Sequence, residues 1–196
     1  MFINRQRHEI NLKIVYCGAG QSGKTTNLER IHATTVPAMR GQLVSLKTSE
    51  DRTLFFDFMQ LELGSIGGLK PKFNLYTVPG QVMYAVTRKI VLQGADGVVF
   101  VVDSAPNRLK ANVESWQQLH QHLRELRLNP ATFPIIVQFN KRDLPNALPA
   151  AALSAALRIN GAHALEAVAL QDIGVKETLR AIVSGVLKQA GGARAS

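Results

Sequence analysis

Residues 18–25 have the sequence GAGQSGKT, in which three glycines, a lysine and a threonine are spaced for binding a polyphosphate. The glycines allow a tight turn, so that several backbone N–H groups can surround one anion. Lys24 can reach the β- and γ-phosphates of a nucleotide, and the Thr25 hydroxyl can ligate Mg²⁺. We therefore predict a nucleotide-binding loop whose contacts come from Gly18, Gly20, Gln21, Ser22, Gly23, Lys24, Thr25 and Thr26.

A second motif, NKRD at residues 140–143, indicates which base the nucleotide carries. The Asp143 carboxylate can accept hydrogen bonds from two donors on one edge of a base, which guanine offers and adenine does not. An unpaired buried carboxylate costs on the order of several kcal/mol, so Asp143 would discriminate strongly between the two bases. Lys141 can cover the base with its aliphatic stem, and Asn140 can tie this loop to residues 18–25. Alone the motif is weak, but its pairing with the phosphate loop favours GTP and GDP as ligands.

The segment TVPGQ at residues 77–81 has the composition expected of a γ-phosphate sensor. The Gly80 amide can bond the γ-phosphate, and Gln81 can orient an attacking water molecule. Alternatively, Gln81 only caps a helix that we predict over residues 82–92. Upstream, Thr53 is a candidate for a second hydroxyl ligand of Mg²⁺.

The segment EAVA at residues 166–169 follows a short predicted strand. The backbone at Val168 and Ala169 could contact the O6 oxygen of guanine. Because an alternating run of small apolar residues also suits any buried strand, this assignment is the least specific of those made here.

These segments need a scaffold that positions them, and the apolar pattern of the chain predicts one. Predicted strands lie at residues 12–16, 54–58, 73–76, 97–102 and 135–139, and predicted helices at 26–35, 82–92, 113–123 and 179–187. Alternating strands and helices favour an α/β fold, with a doubly wound, mostly parallel sheet and helices on both faces. The chain shows no repeat and no break in composition. We therefore predict a single domain over residues 1–196, with a short flexible tail at about 190–196.

Taken in order, these segments resemble the small Ras-like GTPases. Three stretches narrow the resemblance to the MglA family of bacterial cell-polarity and gliding-motility GTPases: residues 50–57 (EDRTLFFD), 77–81 (TVPGQ) and 103–108 (DSAPNR). The resemblance covers residues from about 9 to about 186. It implies a Ras-like P-loop GTPase fold, with GTP or GDP and Mg²⁺ as ligands.

The family resemblance also implies a catalytic arrangement and a partner. An arginine acting in cis maps onto Arg52, beside a catalytic glutamine that maps onto Gln81. The implied partner is an MglB-like, homodimeric GTPase-activating protein with a roadblock/longin fold. Such a partner promotes hydrolysis by rearranging the switch segments rather than by inserting its own arginine.

Thr77 is the most specific mark of the resemblance, because most Ras-like proteins carry an aspartate at this position. A hydroxyl in place of that carboxylate would remove one negative charge from the surroundings of Mg²⁺, so we expect weak Mg²⁺ binding in the GDP state. We expect Asp57 to be a surface carboxylate on an edge strand, without a chemical role. Arg108 and Lys110 are expected to be surface residues at the start of a helix, away from the motifs.

Composition sets limits on the class of protein. The chain has 196 residues, 46% of them apolar, a net charge of +9 and one cysteine, Cys17, which we expect to be a buried filler. Its 23 Lys and Arg residues form no block longer than two, so nucleic acid is not the expected partner. Contact of a basic face with a protein or a membrane surface stays open.

The N-terminal residues lack a signal sequence, and no apolar run has the length of a membrane span. We expect a cytoplasmic protein, recruited at most to a cell pole or to the inner membrane surface.

The sequence thus predicts a guanine-nucleotide switch that hydrolyses GTP slowly without a partner. The alternative is a nucleotide-bound assembly or scaffold subunit in which hydrolysis is vestigial. An ATP-using kinase or transport ATPase is disfavoured by the NKRD motif at residues 140–143.

Overall fold

A computed structural model describes residues 1–47, 53–64, 68–78, 85–159 and 164–192. Within these residues, strands alternate with helices and form one eight-stranded sheet. The strands are β1 (Phe2–Asn4), β2 (Glu9–Cys17), β3 (Val44–Lys47), β4 (Thr53–Glu62), β5 (Lys70–Thr77), β6 (Gly97–Asp103), β7 (Ile135–Asn140) and β8 (Ala164–Glu166). The helices are α1 (Lys24–Thr34), α2 (Ala85–Leu92), α3 (Leu109–Glu125), α4 (Ala150–Leu157) and α5 (Val175–Gly192).

The sheet has the strand order β3-β4-β5-β2-β6-β7-β8, and β1 pairs with the beginning of β2. Strands β5, β2, β6, β7 and β8 run parallel to one another, whereas β1 is antiparallel to β2, and β3 and β4 form an antiparallel hairpin that adds to β5. The predicted doubly wound, mostly parallel sheet is confirmed. The carboxyl ends of β2, β6 and β7 share one edge, which is where ligands bind in such sheets.

Side chains of β2 alternate between two apolar cores, one on each face of the sheet. Leu12, Ile14 and Tyr16 pack with residues of α1 and α5, while Val15 and Cys17 pack with residues of α2, α3 and α4. Because both faces of β2 are covered, the strand needs a continuous apolar sequence rather than an alternating one. Helices on both faces of the sheet are thereby confirmed as well.

Helix α3 contributes the aromatic part of the second core. Trp116 contacts Phe100 of β6 at a ring-centroid distance of 4.8 Å and His120 at 4.4 Å. These contacts pack Trp116 against the sheet and His120 against Trp116.

A buried polar network joins α1, β7 and α5. The Gln138 side chain donates to Asn27 Oδ1 at 2.9 Å and to Thr178 Oγ1 at 3.0 Å, and Asn27 donates back to Gln138 Oε1 at 2.9 Å. All three residues are 0% exposed, so their hydrogen bonds satisfy groups that would otherwise be costly to bury. The network fixes the first turn of α1 against the end of β7, and these elements carry the two sequence motifs.

Helix α5 continues through Gly192, so the tail expected from about residue 190 is helical at its beginning. Residues 193–196 lie outside the described part of the chain. Among the described residues, no helix has the length and apolar character needed to cross a membrane.

Candidate nucleotide-binding site

The loop between β2 and α1 depends on two glycines for its shape. Gly18 has φ of 140°, and a Cβ atom there would lie 2.2 Å from the carbonyl oxygen of Val101 in β6. Gly23, with φ of 103°, caps α1, and a Cβ atom there would lie 2.2 Å from Asn140 Nδ2. A larger side chain is therefore excluded at both positions by left-handed backbone and by close neighbours. Because Gly23 caps the helix, α1 begins at Lys24, two residues before the predicted start.

Lys24 is held inside this loop. Its Nζ donates to the carbonyl oxygens of Gly18 at 3.1 Å and Ala19 at 2.7 Å, and the residue is 7% exposed. Burial lowers the pKa of Lys24 to about 8, with smaller contributions from nearby charged groups, including Arg88 and Arg108. The negative charge of a bound phosphate would offset this penalty and favour the charged form of the lysine.

Asn140 joins three segments at the other end of the site. Its Nδ2 donates to the carbonyl oxygen of Ser22 at 2.8 Å, and its Oδ1 accepts from the backbone N–H of Ala169 at 2.9 Å. The residue is 2% exposed. The predicted tie between the NKRD segment and the phosphate loop is therefore present, and it extends to the loop after β8.

The backbone amides that we predicted to contact guanine O6 already have acceptors in the protein. The Ala169 N–H donates to Asn140, and the Val168 N–H donates to the carbonyl oxygen of Ile173 at 3.0 Å. Contact of this segment with the base stays a prediction.

A cavity of about 270 Å³ opens between these loops. Eight of its lining residues were predicted as nucleotide contacts: Gln21, Gly23, Thr26, Asn140, Lys141, Asp143, Val168 and Ala169. Leu144 and Leu170 also line it and were not predicted, because a lone leucine in a loop carries no recognisable signal. The exposed Asp143 side chain has no hydrogen-bond partner within the described segments, so its carboxylate is available to donors of a base.

Lys141 is positioned by a buried carboxylate. Its Nζ lies 2.7 Å from Oδ2 of Asp103, which ends β6 and is 2% exposed. Lys141 also has a left-handed backbone conformation, with φ of 63°. Lys141 lines the cavity, and its role over a base stays a prediction.

Thr25 contacts a carboxylate at the end of the site opposite the base loop. Its hydroxyl donates to Asp57 Oδ2 at 2.6 Å, and the Thr77 hydroxyl donates to the same oxygen at 2.8 Å. Thr77 also accepts from the Asp57 backbone N–H at 2.8 Å, and Ser45 of β3 donates to Asp57 Oδ1. Four hydrogen bonds therefore hold Asp57, which is 0% exposed.

Our expectation for Asp57 was wrong. Strand β4 lies between β3 and β5 rather than at an edge, so the carboxylate is buried. Phe58 pairs with Tyr76, which places Asp57 opposite Thr77 on the same face of the sheet. The negative charge that we expected this site to lack is thus present, on the strand next to Thr77.

Several predicted residues cannot be placed. Arg52, Gly80 and Gln81 lie outside the described residues. Thr53 begins β4 and pairs with Lys47, but its side chain is not among those described. The catalytic and second metal-ligand assignments therefore stay predictions.

The expectation that Arg108 lies away from the motifs was also wrong. Its Nη2 donates to the carbonyl oxygen of Gly20 at 2.6 Å, and its side chain is 31% exposed. Lys110, two residues later, has a 90% exposed side chain, as expected. The turn at Pro106–Arg108 directs the first of these side chains to the phosphate loop.

Comparisons with known proteins agree with this geometry. The model of the ADP-ribosylation factor family matches residues 1–186. The mutual gliding-motility protein MglA of Myxococcus xanthus (strain DK1622) is 48% identical over 188 residues, which cover 96% of each chain. The Arl6 BBS3 small GTPase of Trypanosoma brucei, solved with the nucleotide analogue GppNp, shares the fold with a TM-score of 0.69. That match has 22% identity and covers 92% of this chain and 99% of the other.

The family match spans nearly the whole chain, and the identity to MglA is far above the level at which only a fold is shared. The resemblance predicted from residues 50–57, 77–81 and 103–108 is confirmed. The chain belongs to the ADP-ribosylation factor family and is an MglA-like small GTPase, an enzyme that hydrolyses GTP.

Proposed function

We propose that this protein is a guanine-nucleotide-dependent switch that controls cell polarity or motility together with an MglB-like activating partner. The observation that carries the nucleotide part is the position of Asn140, whose side chain bonds both the phosphate loop and the loop after β8. One cavity is thereby lined from the phosphate side by Gln21 and Gly23, and from the base side by Lys141 and Asp143. A purine nucleotide would place its phosphates at the first of these sides and its base at the second.

The residues around Thr25 fit a bound Mg²⁺. A hydroxyl that ligates a cation through a lone pair keeps its proton and can still donate a hydrogen bond, as Thr25 Oγ1 does to Asp57 Oδ2 at 2.6 Å. Hydroxyl and carboxylate oxygens are the hard donors that Mg²⁺ prefers, together with phosphate. Thr25, and by prediction Thr53, would ligate the ion, while Asp57 would orient Thr25. When bound, Mg²⁺ supplies positive charge to the β- and γ-phosphates.

In the proposed mechanism the chain positions groups and supplies charge. Lys24 would bind the β- and γ-phosphate oxygens, and the Gly80 amide would bond the γ-phosphate. Gln81 would orient the attacking water, and Arg52 would stabilise the charge that develops on the leaving oxygens. Strand β4 begins one residue after Arg52 and carries Asp57. A partner that displaces this strand would therefore move Arg52 and Asp57 together.

The partner is proposed to be a homodimer with a roadblock/longin fold, because the relative at 48% identity is an MglA protein. We place the switch in the cytoplasm, from which it would be recruited to a cell pole or to the inner membrane surface. The net charge of +9 supports contact with an acidic protein or with anionic lipid.

A GTPase assay with and without a purified roadblock/longin partner tests this proposal. An arginine finger contributes about 10³–10⁵-fold in rate. Arg52→Ala and Gln81→Ala should therefore each abolish the stimulated turnover while GTP affinity and partner binding are kept. Lys110→Ala, at an exposed position outside the site, is the matched control and should behave as the original protein.

Two other outcomes would contradict parts of the proposal. Normal stimulated turnover by Arg52→Ala at saturating partner would mean that the arginine comes from the partner. Absence of turnover under all conditions, with tight nucleotide binding, would favour the assembly or scaffold subunit.

A further inference from the structure

Arg108 connects the phosphate loop to the end of β6. It is the last residue of the 3-10 turn Pro106–Arg108, between β6 and α3. Its Nη2 donates to the Gly20 carbonyl oxygen at 2.6 Å, and its Nε lies 3.7 Å from Asp103 Oδ2. This charge-assisted hydrogen bond joins residues 88 positions apart in the sequence.

Asp103 is held rigidly and faces two cations. Its backbone exchanges hydrogen bonds with the Asn112 side chain, at 3.2 and 2.8 Å, and its Oδ1 accepts from the N–H of Ala105 at 3.1 Å. Its Oδ2 accepts from Lys141 Nζ at 2.7 Å as well as facing Arg108. One buried carboxylate therefore lies between an arginine bound to the phosphate loop and the lysine of the base loop.

The bond to Gly20 has a directional consequence. The Gly20 carbonyl and the Gln21 N–H belong to one planar trans peptide, so they point in opposite directions. Among the described residues, none accepts a hydrogen bond from the Gln21 N–H. Gln21 also has φ of 61°, a conformation that a residue with a side chain seldom adopts without support from its surroundings.

We propose that Arg108 is a positioning residue for this peptide. Arg108 holds the Gly20 carbonyl on the outside of the loop and thereby turns the Gln21 N–H inward, toward the phosphates that follow the α-phosphate. Through Asp103, the same arginine links this orientation to Lys141 at the base loop. The inference rests on the guanine-nucleotide binding proposed above, and it assigns to Arg108 no direct contact with nucleotide.

Release of a fluorescent GDP analogue from the full chain, with competition by GDP and GMP, tests the assignment. Arg108→Ala should release GDP about tenfold faster, corresponding to about 1.4 kcal/mol, because the Gln21 N–H is no longer oriented. The affinity for GMP should stay within about twofold, since the lost contact lies beyond the first phosphate. Lys110→Ala, two residues later at an exposed position in α3, should match the original protein.

Two variants separate this role from a general structural one. Arg108→Lys keeps the charge but lacks the planar guanidinium that bonds the Gly20 carbonyl while facing Asp103, so GDP release should be accelerated about threefold. This variant decides the question if Arg108→Ala does not fold. Asp103→Asn combined with Arg108→Ala should be less than additive in GDP release, because the two side chains act on the same peptide.

Three results would overturn the inference. The first is GDP release by Arg108→Ala at the original rate. The second is an equal loss of GDP and GMP affinity with a lowered melting temperature, which would indicate destabilisation of the whole domain. The third is an original protein that binds no GDP, and only this result also refutes the proposed function.

Discussion

The two ends of the proposed nucleotide site, a base end and a metal end, are built differently. At the base end, Asn140 is the last residue of β7, and Lys141 and Asp143 follow directly after it. At the metal end, Thr25, Asp57 and Thr77 come from α1, β4 and β5, and hydrogen bonds of 2.6 and 2.8 Å bring them together. In a contiguous motif, each role belongs to a fixed position in the sequence. At the metal end, by contrast, the carboxylate can be on either of two neighbouring strands, because opposite residues of antiparallel strands share a face.

The largest expected effect tests the base end alone. Asp143→Asn exchanges two acceptors for one acceptor and one donor, which mismatches guanine and suits the C2 carbonyl of xanthine. GTP affinity should fall tenfold or more while XTP affinity rises, so that the preference between them changes by about a thousandfold. A competition titration measures both constants, and Mg²⁺ affinity should be unchanged. Equal GTP binding by the variant and the original protein would remove Asp143 from the base site.

A smaller effect is expected at the metal end. Asp57→Asn leaves the shape of the side chain and removes its charge, so Mg²⁺ affinity in the GDP state should fall by about 10–100-fold. The measurement is GDP release as a function of free Mg²⁺. Glu62→Gln, at the far end of the same strand and paired with Lys72, is the matched control. Mg²⁺ dependence equal to that of the original protein would show that Asp57 has only a structural role.

Returning the carboxylate to the neighbouring strand sharpens this test. Thr77→Asp alone would bring two carboxylates together in a buried position and should destabilise the protein, since one of them must stay protonated. The pair Asp57→Asn with Thr77→Asp should recover part of the lost Mg²⁺ affinity. A double variant that binds Mg²⁺ no better than Asp57→Asn would mean that the two positions are not equivalent.

The smallest effect is expected for Cys17, which ends the strand leading into the phosphate loop. Burial raises the pKa of the Cys17 thiol to about 12. At pH 8 the thiolate fraction is then on the order of 10⁻⁴, so alkylation of the folded protein should be negligible over hours. Mass spectrometry after iodoacetamide treatment measures this, and unfolded protein is the positive control. Labelling at the rate of a free thiol would show that β2 opens. The base end and the metal end would then not be supported by one rigid strand.

Much of the fold and of the base end could be predicted from local sequence. Continuous apolar runs identified β2, β6 and β7, and the two motifs lie in the loop between β2 and α1 and at the end of β7. Apolar runs and motifs depend on residues close to each other in the sequence and on the direction of the strand, and the sequence pattern records both.

What the sequence did not predict depends on pairing over long distances. Asp57 lies opposite Thr77 only through the register of β4 with β5, and an isolated aspartate in an apolar run does not reveal its partner. Arg108 reaches Gly20 because a 3-10 turn follows β6, and the sequence suggested only the start of a helix. Both misassignments came from treating a polar side chain as exposed when a second element covers it.

The space beside Gly23 has a consequence for how this protein can change over evolutionary time. The Asn140 amide occupies the volume that a Cβ atom on residue 23 would need, at 2.2 Å. A side chain at position 23 is therefore excluded while Asn140 is kept, although the two residues belong to motifs more than a hundred positions apart. A chimera that takes its phosphate loop from one ancestor and its base loop from another would have to preserve this fit.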